Sequence, residues 1–282
     1  MILKIISAQI NFQLKQMGSL FVFYVLLISV LINYAGNVFS YYGQEILEMV
    51  HPMKLLLLSY NLVYRKAEAL LMLIQWYPIL VCIPAGLSLA REAQLGFDTL
   101  IVARIGSFRY HLCKMAAAFF TTLIVFSVPF LIEIVLNCIA FPLDAQGDLS
   151  HLAVYNPLYI TMVKNYTFLS LYQFSPYLYA IIGTLFWGTF SGLLGSLTVS
   201  ISSVVKFKYR ISLLLPVFLL LNASVYFSHI FGNVDLETEW YHYVFLFDDS
   251  PKNILYWGLV MLIVLVFSIG GAIWGGRKDC IQ

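Results

Sequence analysis

The chain has 282 residues, of which 61% are hydrophobic and only 11% are charged, and its formal net charge is +2. Soluble domains carry about a quarter charged residues, so this composition excludes an ordinary water-soluble fold. The near-neutral net charge itself says little about partners, and the distribution of the charges says more. The sequence therefore predicts an integral membrane protein whose non-protein partner is membrane lipid, with no nucleic-acid partner.

The first predicted element is an amphipathic helix over residues 1–17. Apolar and polar side chains recur there on different faces, at spacings of three and four. The apolar positions are Leu3, Ile6, Ile10, Leu14 and Met17, and the polar positions are Lys4, Ser7, Asn11 and Lys15. This pattern is typical of an interfacial connecting helix that lies flat with its lysines towards the lipid headgroups. The alternative is a simple extension of the first membrane span into the cytosol.

Six long uncharged stretches predict the membrane spans. A helix needs about 20 apolar residues to cross ~30 Å of hydrocarbon, and helical backbone satisfies its own hydrogen bonds in lipid. The predicted spans are residues 18–39, 70–90, 114–140, 176–204, 211–231 and 253–275. The fold class is therefore all-α, a single transmembrane domain over 1–282 with a six-helix bundle over 18–276.

Basic residues are distributed unevenly between the two sets of connecting segments. One side receives Lys4, Lys15, Arg91, Arg104, Arg109, Lys114, Lys206, Lys208, Arg210, Arg277 and Lys278, and the other receives Lys54, Arg65, Lys66, Lys164 and Lys252. Positive charge accumulates on the cytoplasmic side of short loops. The sequence therefore predicts that both termini are cytoplasmic.

Three segments are predicted to lie outside. Residues 40–69 contain the apolar run Met53–Leu58, which is too short to span and predicts a docked or interfacial helix. Residues 141–175 are rich in aromatic side chains, which favour the headgroup level, and their last part, 165–175, is predicted to dip into the outer leaflet. Residues 232–252 form an acidic loop before the last span.

The most informative cytoplasmic segment covers residues 91–113, between the second and third spans. It is too long for a tight turn, and Gly96 interrupts its helical first half. Leu100, Ile101 and Ile105 then provide an apolar edge. A short cytoplasmic helix that is tethered at both ends to membrane helices can transmit motion from a soluble partner.

The order of residues here resembles that of the permease subunits of type-2 ABC exporters. The matching positions are Arg91, Glu92, Gly96, Arg104 and Lys114. In that family an acidic residue and a glycine follow helix 2, a coupling helix seats on the ATPase, and a lysine begins helix 3. The layout is similar too, with six helices, a flat N-terminal helix and outer segments that dip into the membrane. Many members carry a proline in the middle of the coupling segment, where this chain has Arg-Ile-Gly-Ser at 104–107.

The resemblance implies the transmembrane subunit of an ATP-dependent exporter in a bacterial plasma membrane. It would move an amphiphilic substrate outward, such as a peptide or a drug. No Gly-Lys pair occurs in the sequence, so the chain carries no phosphate-binding loop of its own and we expect no enzymatic activity in it. ATP and Mg²⁺ would bind to separate cytoplasmic ABC ATPase subunits, and a second permease chain, identical or related, would complete the pathway.

Glu133 is the only acidic residue inside a predicted span and the candidate residue of the transport pathway. A carboxylate within a membrane is costly and by default functional. The alternative function is therefore a proton-coupled secondary transporter that uses Glu133. The structural interpretation is that Glu133 pairs with a polar group of a neighbouring helix, such as Asn222 or His229, or reaches the outer interface.

Residues 188–192, Gly-Thr-Phe-Ser-Gly, differ by one residue in spacing from the serine motif of rhomboid-type intramembrane proteases. Gly188 and Gly192 also form a GxxxG pair, which lets helices approach closely in lipid. Helix packing is the predicted role, and no catalytic residue is predicted. The five histidines are dispersed without ligand spacing, so no metal site is predicted either.

Overall fold

The computed structural model describes residues 2–44, 50–60, 67–84, 86, 102–145, 166–205, 210–230, 238–248, 250 and 252–281. This part of the chain is helical and forms no β-strand. Its α-helices are α1 (Ile2–Leu14), α2 (Met17–Tyr41), α3 (Ala67–Leu80), α4 (Ser107–Ala140), α5 (Leu169–Phe174), α6 (Pro176–Val204), α7 (Leu215–Ile230), α8 (Trp240–Val244) and α9 (Ile254–Ile281). Short 3₁₀ helices cover Pro52–Leu55 and Arg210–Leu214.

Four of these helices are long and apolar enough to cross a membrane. The segments are Met17–Tyr41, Ser107–Ala140, Pro176–Val204 and Ile254–Arg277. Shorter apolar helices, Leu70–Leu80 and Ile211–Tyr226, coincide with the second and fifth predicted spans. The predicted all-α, multi-pass membrane architecture is confirmed at this level, and the count of six spans stays a prediction.

α1 and α2 are separate helices, which contradicts a simple extension of the first span. The helical backbone is interrupted at Lys15 and Gln16, and Gln16 is extended with φ −70° and ψ 144°. The Ser19 hydroxyl lies 2.7 Å from the Gln13 carbonyl oxygen and 2.9 Å from the Pro84 carbonyl oxygen. This hydroxyl therefore ties the α1–α2 elbow to the chain that follows α3.

The start of α1 and the last turns of α9 lie at one end of the bundle, called here the terminal end. α1 begins beside Ile105 and Arg109. α9 approaches the start of α4 closely, since a Cβ placed at Gly276 would lie 2.9 Å from the Phe108 Cα. The opposite end, called the far end, holds the last turns of α2 and α4 and the first turns of α6 and α9. A shared end is what the predicted topology requires, and the cytoplasmic assignment stays a prediction.

α4 begins earlier than the sequence predicted. It starts at Ser107 rather than at residue 114, so Lys114 lies inside the helix and is fully buried. Gly106, with φ 83° in the left-handed region, separates α4 from a short helical turn at 102–105. The predicted boundary was wrong because it was placed at the charged residues, and a buried lysine can continue a helix.

α6 packs on α4 along a row of glycines, called here the α4–α6 seam. The seam consists of Gly188, Gly192 and Gly195 on α6, facing Ser127, Phe119 and Thr122 on α4. A Cβ at Gly192 would lie 2.8 Å from the Phe119 carbonyl oxygen, closer than side chains approach backbone. Close backbone approach stabilises helix pairs in lipid, where burying apolar surface gives little driving force. The predicted GxxxG pair thus lies at the contact between these two helices.

Candidate functional site: a buried polar clamp at the far end

The chain between α2 and α3 folds back into the bundle at the far end. Residues 50–59 are all buried, including the polar side chains of His51 and Lys54. His51 Nδ1 accepts a hydrogen bond from the Met53 N–H at 3.2 Å and begins the 3₁₀ helix Pro52–Leu55. The docked or interfacial helix predicted over this run is present only as this short 3₁₀ helix, and the other residues are irregular and buried within the protein. It is called here the 50–60 segment.

Irregular backbone at membrane depth is stable only where protein groups satisfy its hydrogen bonds. Three asparagines do so for the 50–60 segment. Asn33 Nδ2 and Asn37 Nδ2 donate to the Leu55 carbonyl oxygen at 3.0 Å and 2.7 Å. Asn137 Nδ2 donates to the Pro52 carbonyl oxygen at 3.3 Å. Side-chain amides from two long helices thus take the place of the missing helical hydrogen bonds.

Glu133 on α4 supplies the matching acceptor. Its Oε1 accepts hydrogen bonds from Asn33 Nδ2 at 2.6 Å and from the Leu57 N–H at 2.9 Å, and its side chain is fully buried. The Asn33 side-chain amide therefore donates one hydrogen to Glu133 and the other to the Leu55 carbonyl oxygen. Asn33, Asn37, Glu133 and Asn137 together are called the polar clamp.

Two helices contribute the clamp, each with two residues spaced four apart. Asn33 and Asn37 share one face of α2, and Glu133 and Asn137 share one face of α4, because positions four apart are neighbours on a helix. α2 packs along α4, which brings the two faces together. This spacing is visible in the sequence, and it could have identified the asparagines that the sequence analysis missed.

Glu133 pairs with a polar group of a neighbouring helix, as the structural interpretation predicted, and that group is Asn33 of α2. Of the two example partners, Asn222 donates to the Phe218 carbonyl oxygen of its own helix at 2.8 Å, in an exposed position. The side chain of His229 lies outside the described residues.

The chain before α9 folds back in the same way. Residues 238–248 are buried apart from the half-buried Tyr241. They join the 50–60 segment through two backbone hydrogen bonds: the Tyr60 N–H donates to the Leu246 carbonyl at 2.8 Å, and the Leu246 N–H donates to the Leu58 carbonyl at 2.9 Å. The acidic loop predicted before the last span is therefore, over these residues, packed into the protein. It is called here the 238–248 segment.

Trp240 carries the 238–248 segment into the aromatic core. Its ring stacks on Tyr77 with centroids 4.8 Å apart and on Phe190 at 6.2 Å. The Tyr77 hydroxyl lies 2.9 Å from Ser191 Oγ, which also donates to the Trp187 carbonyl at 2.9 Å. The serine of the protease-like motif thus takes part in packing within the core.

A charge cluster holds the end of the 238–248 segment. His242 Nδ1 lies 2.7 Å from Asp248 Oδ2, and His242 Nε2 lies 3.3 Å from Glu239 Oε2. Lys252 Nζ donates to the Asp248 carbonyl and to Thr167 Oγ1, both at 3.1 Å. Burial alone would raise the pKa of the Asp248 carboxyl, but the His242 hydrogen bond and the Lys252 charge outweigh burial and lower that pKa below its ordinary value.

Two of the residues predicted to couple the chain to an ATPase are described, and both lie at the terminal end. Arg104 is exposed in the turn at 102–105, and Lys114 is buried in α4. Lys114 is distant from the clamp, because it is separated from Glu133 by about 28 Å along α4 at ~1.5 Å per residue. Arg91, Glu92 and Gly96 lie outside the described residues.

Among the described residues, no group of three or more His, Cys, Asp or Glu side chains could hold a metal ion. The chemistry available to the clamp is therefore hydrogen bonding, with one carboxyl group in a buried position. Comparison of the chain with known protein families, with characterised proteins and with solved structures gave no match. Its function has to be argued from its own sequence and geometry.

Proposed function

We propose that the chain is the transmembrane subunit of an ATP-driven exporter of the type-2 ABC kind. In this proposal it has six spans, both termini lie in the cytoplasm of a bacterium, and it works with separate ATPase subunits and a second permease chain in the plasma membrane. The observation that carries the proposal is the packing of α1 and the turn at 102–105 around the first turns of α4.

α1 lies along α4 at the terminal end. The space between α1 and the start of α4 is lined by Ile2, Leu3, Ile5, Ile105, Arg109 and Cys113. A soluble partner that pushes on residues 91–113 would therefore act on α1 and α4 together. This arrangement supports a coupling role for the segment, because a load applied there passes directly to a long membrane helix.

α4 extends from the terminal end, where the soluble partner would push, to the far end. It is 34 residues long and extends about 50 Å at ~1.5 Å per residue. Its other end carries Glu133 and Asn137, which hold the 50–60 segment, and that segment is bonded to the 238–248 segment. In the proposed cycle the two far-end segments act as one plug, and a shift of α4 loosens the plug so that an amphiphilic substrate leaves.

The first test is a pull-down of the tagged full chain in mild detergent, with intact mass and ATP hydrolysis measured on the eluted complex. We expect a soluble ATPase and two permease chains in the complex. Arg104→Glu should lower the amount of co-purified ATPase at least about fivefold, whereas Arg277→Glu, an exposed arginine at the same end on α9, should leave it unchanged. Elution without an ATP-hydrolysing partner would contradict the proposal.

A second candidate function is proton-coupled transport through Glu133, and the complete burial of this carboxyl group favours it. Glu133→Gln separates the two functions, because the glutamine keeps an oxygen acceptor for Asn33 and Leu57 but carries no proton that it can exchange. An exporter with a structural clamp retains ATP-driven transport in this variant. A proton-coupled transporter loses its dependence on the proton gradient.

A further inference from the structure

A lateral apolar groove of about 700 Å³ opens between α6, α7 and α9 near the terminal end. Its floor is buried and its rims are exposed. The floor includes Leu197, Ser200 and Val264, and the rims include Val205, Leu220, Phe267 and Trp274. Neither the clamp residues nor the described coupling residues Arg104 and Lys114 line the groove, and its lining suits an occupant of apolar chemistry.

The length of the groove matches one leaflet of a bilayer. On α9 it runs from Ile263 to Trp274, which is about 16 Å at ~1.5 Å per residue. Half of a hydrocarbon core is about 15 Å thick. A single extended acyl chain therefore fits along the groove from the level of the headgroups to the middle of the membrane.

Gly270 keeps the groove open. A Cβ at Gly270 meets no described atom within 4 Å, whereas a Cβ at the neighbouring Gly271 would lie 3.0 Å from Ser200 Cβ. Close packing against α6 therefore explains Gly271 but not Gly270. A glycine inside a helix destabilises the helix by about 1 kcal/mol relative to alanine. At Gly270 the absence of a side chain leaves empty space above the groove floor.

An exposed basic residue lies at the end of the groove that faces the terminal end. Arg277 follows the groove residue Trp274 by three positions, so the two share a face of α9. An apolar groove with an arginine and a tryptophan exposed at its mouth is complementary to an anionic amphiphile.

We propose that this groove binds one acyl chain of an anionic phospholipid from the leaflet at the terminal end, with the lipid phosphate held at Arg277. The site is independent of the export function proposed above. It makes the protein sensitive to the anionic lipid content of that leaflet, because the occupant contacts α6, α7 and α9 together.

The test is native mass spectrometry of the full chain in mild detergent, after incubation with phosphatidylglycerol or with phosphatidylcholine of the same acyl chains. The wild type should retain phosphatidylglycerol preferentially. Gly270→Phe should abolish this retention by filling the groove. Gly258→Phe is the matched control, because Gly258 lies on the same helix and a Cβ there also meets nothing within 4 Å, yet it does not line the groove.

Arg277→Gln provides a second variant that leaves the groove walls intact. Loss of one basic residue at an anionic headgroup should lower phosphatidylglycerol retention about fivefold without changing phosphatidylcholine retention. Equal retention of the two lipids by the wild type would overturn the proposal. Unchanged retention in Gly270→Phe would overturn it as well. The proposal would also be overturned if Gly270→Phe removed a dimer peak and left the lipid adduct unchanged. A second copy of the chain would then cover the groove.

Discussion

The α4–α6 seam and the polar clamp hold the same helix, α4, by opposite means. In the seam, glycines bring two regular helices into contact, and a Cβ at Gly192 would lie 2.8 Å from backbone. In the clamp, Glu133 and Asn137 reach from α4 to the backbone of the irregular 50–60 segment at distances of 2.9 Å and 3.3 Å. Regular backbone needs only space to approach, whereas irregular backbone needs donors and acceptors from elsewhere.

This difference separates the fixed part of the molecule from the part that can rearrange. Close contacts along the seam would have to be lost together if α4 and α6 moved apart, so the seam resists displacement. The clamp consists of single hydrogen bonds, each of which can break and re-form with another partner. In the proposed exporter, α4 and α6 would therefore move as one body, and the 50–60 segment would move relative to them.

The largest effect is expected in the seam. Gly192→Leu places a side chain against the Phe119 backbone and ring, which cannot move without displacing α4. Overpacking of this kind costs about 3 kcal/mol, so we expect a corresponding loss in the free energy of unfolding, measured by titration with SDS in mixed micelles. Gly258→Leu, with nothing within 4 Å of its Cβ, is the control. Equal losses in the two variants would mean that the seam has no special role.

A smaller effect is expected from removing the acceptor of the clamp. Glu133→Leu leaves the Asn33 amide and the Leu57 N–H without their acceptor, and a buried unsatisfied donor costs about 1–3 kcal/mol. We expect a loss of about 2 kcal/mol in the same SDS titration. Glu133→Gln should lose less than ~1 kcal/mol, because its amide oxygen still accepts. If glutamine is as harmful as leucine, the negative charge and not the hydrogen bond holds the segment.

The seam was predictable from the sequence, whereas which groups pair within the clamp was not. Gly188 and Gly192 are four apart in one helix, so their shared face follows from local geometry. Glu133 was identified as exceptional because it is a charge in an apolar span. Its partners are 100 positions away, at Asn33, and 76 positions away, at the Leu57 N–H. Every residue except proline has a backbone N–H, so the sequence does not show which one donates to Glu133. The pairing with Asn33 follows only once α2 is known to pack on α4.

The two buried far-end segments were also beyond the sequence analysis. Lys54 and Asp248 are charged residues that composition places in water, yet their exposed fractions are 6% and 0%. Lys54 lies 5.6 Å from the centre of the Tyr172 ring, and Asp248 lies against His242. Burial of these charges is stable only where the tertiary fold supplies such neighbours. Hydropathy alone therefore predicts that both segments lie on the surface.

A weaker effect distinguishes the donors within the clamp. Asn37 makes one hydrogen bond to the Leu55 carbonyl, and Asn33 makes two, to Leu55 and to Glu133. Since a side-chain hydrogen bond between membrane helices contributes about 0.6 kcal/mol, Asn37→Leu should cost about that much and Asn33→Leu about twice as much. Hydrogen exchange of the amides in the 50–60 segment measures the difference. A larger loss for Asn37→Leu would contradict the assignment of Asn33 as the shared donor.

The smallest effect at neutral pH is expected in the charge cluster of the 238–248 segment. The pKa of Asp248 is lowered in the folded protein, so its contribution to stability is present above the unfolded pKa of about 3.9 and is lost as the pH falls through the folded value. Hydrogen exchange of amides 240–248, corrected for intrinsic rates, should therefore accelerate as the pH falls below about 4.

Asp248→Asn is the variant that tests the origin of this acid response. It removes the carboxylate that faces His242 and Lys252, so the step below about pH 4 should disappear, while amides of α6 in the seam serve as the internal reference because no carboxylate lies in that helix. A step that survives in Asp248→Asn would contradict Asp248 as the origin of the acid response.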